Sequence, residues 1–172
     1  YWVLKTIFLS YHVRYNWKRL KHHMKLDWGA LIERFTYQDH FHLVIFPFYE
    51  EPQEVLDEAM KGLIEANYDP QKLIVVLAAE GRVGQGAIDK ANTIEAQYGS
   101  KFGRFLVTVH PEDTVGEIAG KGSNVHHALT QVHAKIIGPE HIPHKNILVS
   151  IFDFDTVIYP DYFNCLIRHF MT

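Results

Sequence analysis

The chain has 172 residues, 47% of them hydrophobic and 22% charged, with one cysteine and a formal net charge of −3. That is enough apolar sequence for a single domain with a sizeable core, and it excludes disorder, low complexity and a disulfide framework. Six of the 17 basic residues fall within residues 1–26, which hold no acid, so the rest of the chain carries 11 basic residues against 20 acidic ones and is unsuited to nucleic acid.

In chain order, the opening is basic and aromatic: Lys5, Arg14, Lys18, Arg19, Lys21 and Lys25 are interleaved with Trp2, Ile7, Phe8, Tyr11, Tyr15 and Trp17. Such rings settle at membrane interfaces, and such cations favour the anionic cytoplasmic leaflet. Residues 1–40 are therefore expected to form a juxtamembrane or packing helix region, with the domain at 41–172 on the cytoplasmic side. The apolar part of the opening, Tyr1 to Leu9, is shorter than the roughly 20 residues that span a bilayer. It reads as the tail of a span, and the chain, starting at Tyr and stopping at Met171-Thr172 after an apolar helical pattern, reads as an excerpt.

From residue 41, short apolar runs alternate with helical patterns, which predicts an open, mostly parallel sheet covered by helices, an α/β fold of Rossmann-like type. The expected strands are Phe41–Phe46, Leu73–Leu77, Phe105–Val109 and Ile147–Phe152. The first helix opens at Pro52, presents Val55, Leu56, Ala59, Leu63 and Ile64 on one face, and closes before Pro70. A second spans Gln85 to Tyr98. A third runs from Ser123 to Ile137 and buries Val125, Ala128, Leu129, Val132 and Ile136. The last follows Pro160 and buries Phe163, Leu166, Ile167 and Phe170, with Cys165 read as a small buried hydrophobe.

Ligands of open α/β sheets bind outside the carboxyl ends of the strands. At those ends stand Pro47-Phe48-Tyr49-Glu50-Glu51, Glu80-Gly81-Arg82, the loop leading to Gly120-Lys121-Gly122, and Asp153-Phe154-Asp155-Thr156. In extended backbone Asp153 and Asp155 would share a side, where two carboxylates repel each other unless a cation is present. A hard divalent ion, Mg²⁺ or Mn²⁺, bridging them to diphosphate oxygens would resolve that repulsion.

Three segments carry a family resemblance. Ile151-Phe152-Asp153-Phe154-Asp155-Thr156 with Tyr159-Pro160-Asp161-Tyr162-Phe163 resembles the metal-binding segment of family 2 glycosyltransferases of the GT-A fold. Val44-Ile45-Phe46-Pro47-Phe48-Tyr49-Glu50-Glu51 resembles their first strand and Pro-x-Tyr-x-Glu nucleotide contact. Gly120-Lys121-Gly122-Ser123-Asn124-Val125-His126-His127-Ala128-Leu129 resembles their Gly-Lys helix start, and the three together cover roughly residues 41–170 in the family's order.

The resemblance implies a metal-dependent, inverting transfer of a sugar from a nucleotide-diphosphate sugar to an acceptor that the sequence leaves unknown. Pro47, Tyr49, Glu51, Glu80, Lys121 and Asp153 would bind the donor, and Asp153 and Asp155 the metal. In those roles Tyr49 borders the base, Glu51 accepts a hydrogen bond from base or ribose, and Lys121 neutralises diphosphate charge. The family's base-reading acid corresponds to Ala78 or Ala79 here, with Glu80 next in line, and its helix asparagine is His126. No segment after Asp155 resembles the one carrying the general base, so the catalytic base is unknown, and a non-catalytic or incomplete transferase-like module of a larger membrane protein is the alternative.

Other motifs fail on spacing. Gly81-Arg82-Val83-Gly84-Gln85-Gly86 reverses the dinucleotide-binding order, and Gly116 to Gly120-Lys121 is one residue short of a P-loop and lacks its Ser or Thr. His126, His127, His133, His141 and His144 raise a zinc site, but none of the helical pairs has i, i+4 spacing.

Overall fold

The computed structural model describes residues 1–112, 116–118 and 120–172. These form the expected α/β architecture, a four-stranded parallel sheet flanked by helices: β1 (Phe41–Phe48), β2 (Leu73–Glu80), β3 (Arg104–His110) and β4 (Ile147–Ile151), in the order β3-β2-β1-β4. The chain winds outward from β1 to β3 and then returns to β1's other side, so the order reverses between β1 and β4. A crevice at the carboxyl ends of those two strands follows from that topology.

Strand alternation sorts the core into two layers. Val44, Phe46 and Phe48 of β1 and Leu73, Val75, Leu77 and Ala79 of β2 face α3 (Gln53–Ile64) and α4 (Gln85–Tyr98), which contribute Leu56, Ala59, Met60 and Leu63, and Ala87, Ala91, Ile94 and Tyr98. Leu43 and Ile45, with Ile74, Val76 and Ala78, face α5 (Lys121–Val132) through Ala128 and Val132. Both central strands are buried on both faces, which is why they read as continuous apolar runs rather than as alternating ones.

Several boundaries differ from expectation. β2 continues through Ala78 and Ala79 to Glu80, because these residues pair with β3 up to Glu80↔His110. α5 begins at Lys121, and after Val132 it loosens into a π-helical turn, His133–Ile137, that still buries Ile136. In α6 (Tyr162–Phe170), Phe163 and Ile167 are buried, Leu166 is partly so, but Phe170 lies 52% exposed: it sits in the helix's last turn, past the packed face. Cys165 is half-buried, not a core residue.

The N-terminal region divides in two. α1 (Trp2–His23) buries no residue, and its aromatic and aliphatic side chains, Trp2, Leu4, Ile7, Phe8, Tyr11, Tyr15 and Trp17 among them, face outward. No helix among the described residues is long and apolar enough to cross a membrane. α2 (Trp28–Ile32), capped by Asp27, whose carboxylate accepts the Ala30 N–H at 2.9 Å, instead buries Trp28 and Ile32, the latter in a cluster with Leu148 and Ile167. The packed unit thus begins with α2, ahead of residue 41.

Candidate functional site

β1 and β4 are paired from Phe41↔Ile147 to Ile45↔Ile151, and the Phe152 N–H still donates to the Ile45 carbonyl at 3.0 Å. Two residues beyond Ile45, on the same edge of β1, stands Pro47, which has no N–H to extend the ladder. The strands part there, and a cleft of about 410 Å³ opens, lined by Pro47, Phe48, Tyr49, Glu51, Glu80, Arg82, Lys121, Asn124 and Asp153. All six residues expected to bind a donor, Pro47, Tyr49, Glu51, Glu80, Lys121 and Asp153, are brought together in it.

Each wall is built locally. The Glu51 carboxylate accepts the Tyr49 N–H at 2.8 Å, and the Lys90 ammonium of α4 donates to the Glu51 carbonyl at 3.2 Å, so the loop after β1 is held at both ends. Tyr49 remains 46% exposed, with the Arg82 guanidinium 5.5 Å above its ring. α5 ends in the cleft with Gly120 as its N-cap and no capping side chain, leaving first-turn N–H groups free of helical acceptors beside Lys121. Asn124, one turn on, is buried; its Nδ2 donates to the Ala78 carbonyl at 2.7 Å, while its Oδ1 has no partner among the described residues.

Glu80, the last residue of β2, is buried at the cleft wall and engaged from two sides. His110 Nδ1 lies 3.2 Å from Glu80 Oε1 and Arg82 Nε 3.7 Å from the same oxygen, while His110 Nε2 meets Glu117 Oε2 at 2.9 Å. Burial alone would lower the His110 pKa, but hydrogen bonds to Glu117 and Glu80, reinforced by their charges, outweigh it and raise the pKa above its ordinary value. The imidazole thus sits between two carboxylates that favour its protonated form. Gly81 makes this contact possible: a Cβ there would lie 2.5 Å from the His110 carbonyl oxygen. Neighbouring His127, its ring 5.4 Å away, has its own pKa lowered by burial and by the charge of His110.

The aspartates do not behave as a pair. The Thr156 N–H donates to the Asp153 carbonyl at 2.9 Å, closing a turn over residues 153–156, and Phe154 at its centre packs into the core, stacked on Phe46 at 4.7 Å. Because the backbone is turned rather than extended there, the period-two rule that would align Asp153 with Asp155 fails. Asp153 lines the cleft; Asp155 lines a separate hollow against α3 with Val55, Glu58 and Val157. Asp153 forms an ion pair with Lys121 across the cleft, both side chains more than half exposed at 64% and 53%.

Sequence reasoning passed over Asn124, Arg82 and His110 as site residues. Only Arg82 had a local signal, its position after a strand. Residues 113–115 and 119, in the loop expected to lead to Gly120-Lys121, lie outside the described residues. The histidines that raised a zinc site form no group close enough for a shared ion among the described residues. No protein-family model matches the chain, and no curated protein matches it.

Proposed function

We propose that this cleft binds a nucleoside-diphosphate sugar together with a divalent cation, and that the chain is the donor-binding part of an inverting, GT-A-type glycosyltransferase. The observation that supports this reading is the convergence of six motif residues, from four separate strand ends, on one cleft of about 410 Å³, within the usual range for small-ligand sites.

The chemistry of the walls suits such a donor. The uncapped N-terminus of α5 and Lys121 offer N–H groups and positive charge to a diphosphate. Tyr49, flanked by Arg82, offers a ring face to a base. Glu80, in contact with His110 and Arg82, offers carboxylate oxygens to a base edge or ribose that donates hydrogen bonds. Asp153 gives a hard cation one carboxylate, and Mg²⁺ commonly takes one or two carboxylates with phosphate oxygens and water, so the donor set fits without Asp155. When bound, the ion would neutralise charge on the departing diphosphate.

No residue is assigned as the base that deprotonates the acceptor. The cleft's acids are already engaged: Glu51 by the Tyr49 N–H, Glu80 by His110 and Arg82, Asp153 by Lys121. That engagement favours a second reading, a module that holds a donor without transferring it. In either case we place the domain at a cytoplasmic membrane surface through α1, whose exposed rings and cations suit an anionic interface.

Calorimetric titration with a panel of nucleoside diphosphates, with and without Mn²⁺, tests the site. Metal-dependent binding of one nucleotide, lost in Asp153→Ala and kept in Asp155→Ala, is the expected result. If no nucleotide binds, the donor-site reading fails; if Asp155→Ala also abolishes binding, the turn at 153–156 must reorganise around the ion.

A further inference from the structure

Away from the cleft, the end of α1 meets α6. His23 is the last residue of α1, and Cys165 and His169, four apart on α6, lie on one face of that helix. One ligand atom from each of the three lies within 4.8 Å of the others. Ligands around a tetrahedral Zn²⁺, with bonds of about 2.0 Å to nitrogen and 2.3 Å to sulfur, stand about 3.3–3.6 Å apart, so small side-chain rotations would close the set.

The surroundings look built. Trp28, buried at 4% exposure, stands edge-on to the His23 ring at 5.3 Å and lies 5.6 Å from that of His169; its indole N–H donates to the His23 carbonyl at 2.8 Å. One buried side chain thus orients both imidazoles and the end of α1. Among the described residues, Arg19 and His22 on α1 and Asp161 ahead of α6 lie within electrostatic range of the cluster.

We propose that His23, Cys165 and His169 bind a zinc-class divalent ion, with the fourth position taken by water, and that this ion ties α1 to the domain. Thiolate plus two imidazoles is a borderline-soft set that Mg²⁺ and Ca²⁺ avoid and Zn²⁺ or Co²⁺ accept. On ligation, the sulfur–hydrogen bond of Cys165 breaks, its proton passes to buffer, and the thiolate's electron pair forms the metal–sulfur bond, with no change of oxidation state. Since α1 buries no residue, the ion would join the Tyr159 hydroxyl, which donates to the carbonyl of Met24 just after α1 at 3.0 Å, in tying the end of α1 to the rest. This inference is independent of what the cleft binds.

Titration of the whole chain with Co²⁺ reads the site directly. The expected result is one equivalent bound, with the intense visible bands of tetrahedral cobalt and a thiolate-to-cobalt charge-transfer band in the near ultraviolet. Cys165→Ser should abolish the charge-transfer band, and His169→Ala should weaken binding by more than the roughly 10–100-fold typical of losing an outer-shell partner. Circular dichroism of the metal-free variants shows whether they fold. Zn²⁺ should displace the cobalt and slow tryptic cleavage at Lys21 and Lys25. Absence of binding, or binding without a charge-transfer band or unchanged in a folded Cys165→Ser variant, would overturn the proposal.

Discussion

Lowering the pH from 7.5 to 4.5 should destabilise this protein substantially, and one side chain accounts for a defined share of the loss. His42, the second residue of β1, is fully buried, edge-on to the rings of Tyr68 and Phe163 at 4.9 Å each, and neither of its ring nitrogens has a partner among the described residues. Burial, helped by the charge of nearby His40, pushes its pKa from 6.5 down to about 3. In the unfolded chain it titrates near 6.5, so between pH 6.5 and 3 the unfolded state holds a proton that the folded state does not. Stability therefore falls as pH falls through that window, by about 1.4 kcal/mol per pH unit. At pH 4.5 the loss from this group is roughly 3 kcal/mol, a substantial fraction of the roughly 5–15 kcal/mol that holds a domain folded. Urea denaturation of wild type and His42→Leu at both pH values isolates it. The variant should lose roughly 3 kcal/mol less than wild type between the two, and it should be the more stable at pH 7.5, because two unpaired buried nitrogens are gone. Equal losses in both proteins would refute the assignment.

Phe154→Ala should destabilise the fold by roughly 3–5 kcal/mol, since it removes a buried ring stacked on Phe46, and a lowered urea midpoint checks it. The same variant should weaken nucleotide binding although Phe154 does not line the cleft, because its packing fixes the turn that presents Asp153. His110 should titrate above 6.5 by NMR, and Glu117→Gln should bring it down. Its linkage has the opposite sign to that of His42: the stability it contributes is fully present below 6.5 and is lost as pH rises through its folded pKa.

Hydrophobic periodicity was sufficient to place all four strands and the helices between them, because the core they build is itself periodic. It failed where a long-range contact decides the outcome. Nothing local says that Ala78-Ala79-Glu80 stays in the sheet; β3 alongside it does. The Asp-Phe-Asp triplet looks like a continuing strand, yet burying Phe154 against Phe46 favours a turn that divides the two aspartates. Glu80 and His110 lie thirty residues apart in sequence and meet only through strand register, so the Glu80–His110–Glu117 chain, buried at its first two members, had no sequence signature. Cys165 and His169 did have one, an i, i+4 pair, but their partner His23 stands at the far end of the chain, in a segment that reads as membrane-facing.

The ion pair between Lys121 and Asp153 gives the cleft a logic of its own. A lone cation that captures Asp153 leaves Lys121 uncompensated, and a lone anion that captures Lys121 leaves Asp153 so; each pays for breaking the contact without replacing it. A ligand that brings both signs, as a cation chelated by a diphosphate does, answers both halves at once. With both side chains more than half exposed the pair is worth only about 0–1 kcal/mol, so it is a bias rather than a lock. The bias is nonetheless reciprocal: the nucleotide should tighten the metal by the same factor as the metal tightens the nucleotide. On the proposed donor-site reading, the cleft would act as a weak coincidence detector, favouring the two components together over either alone.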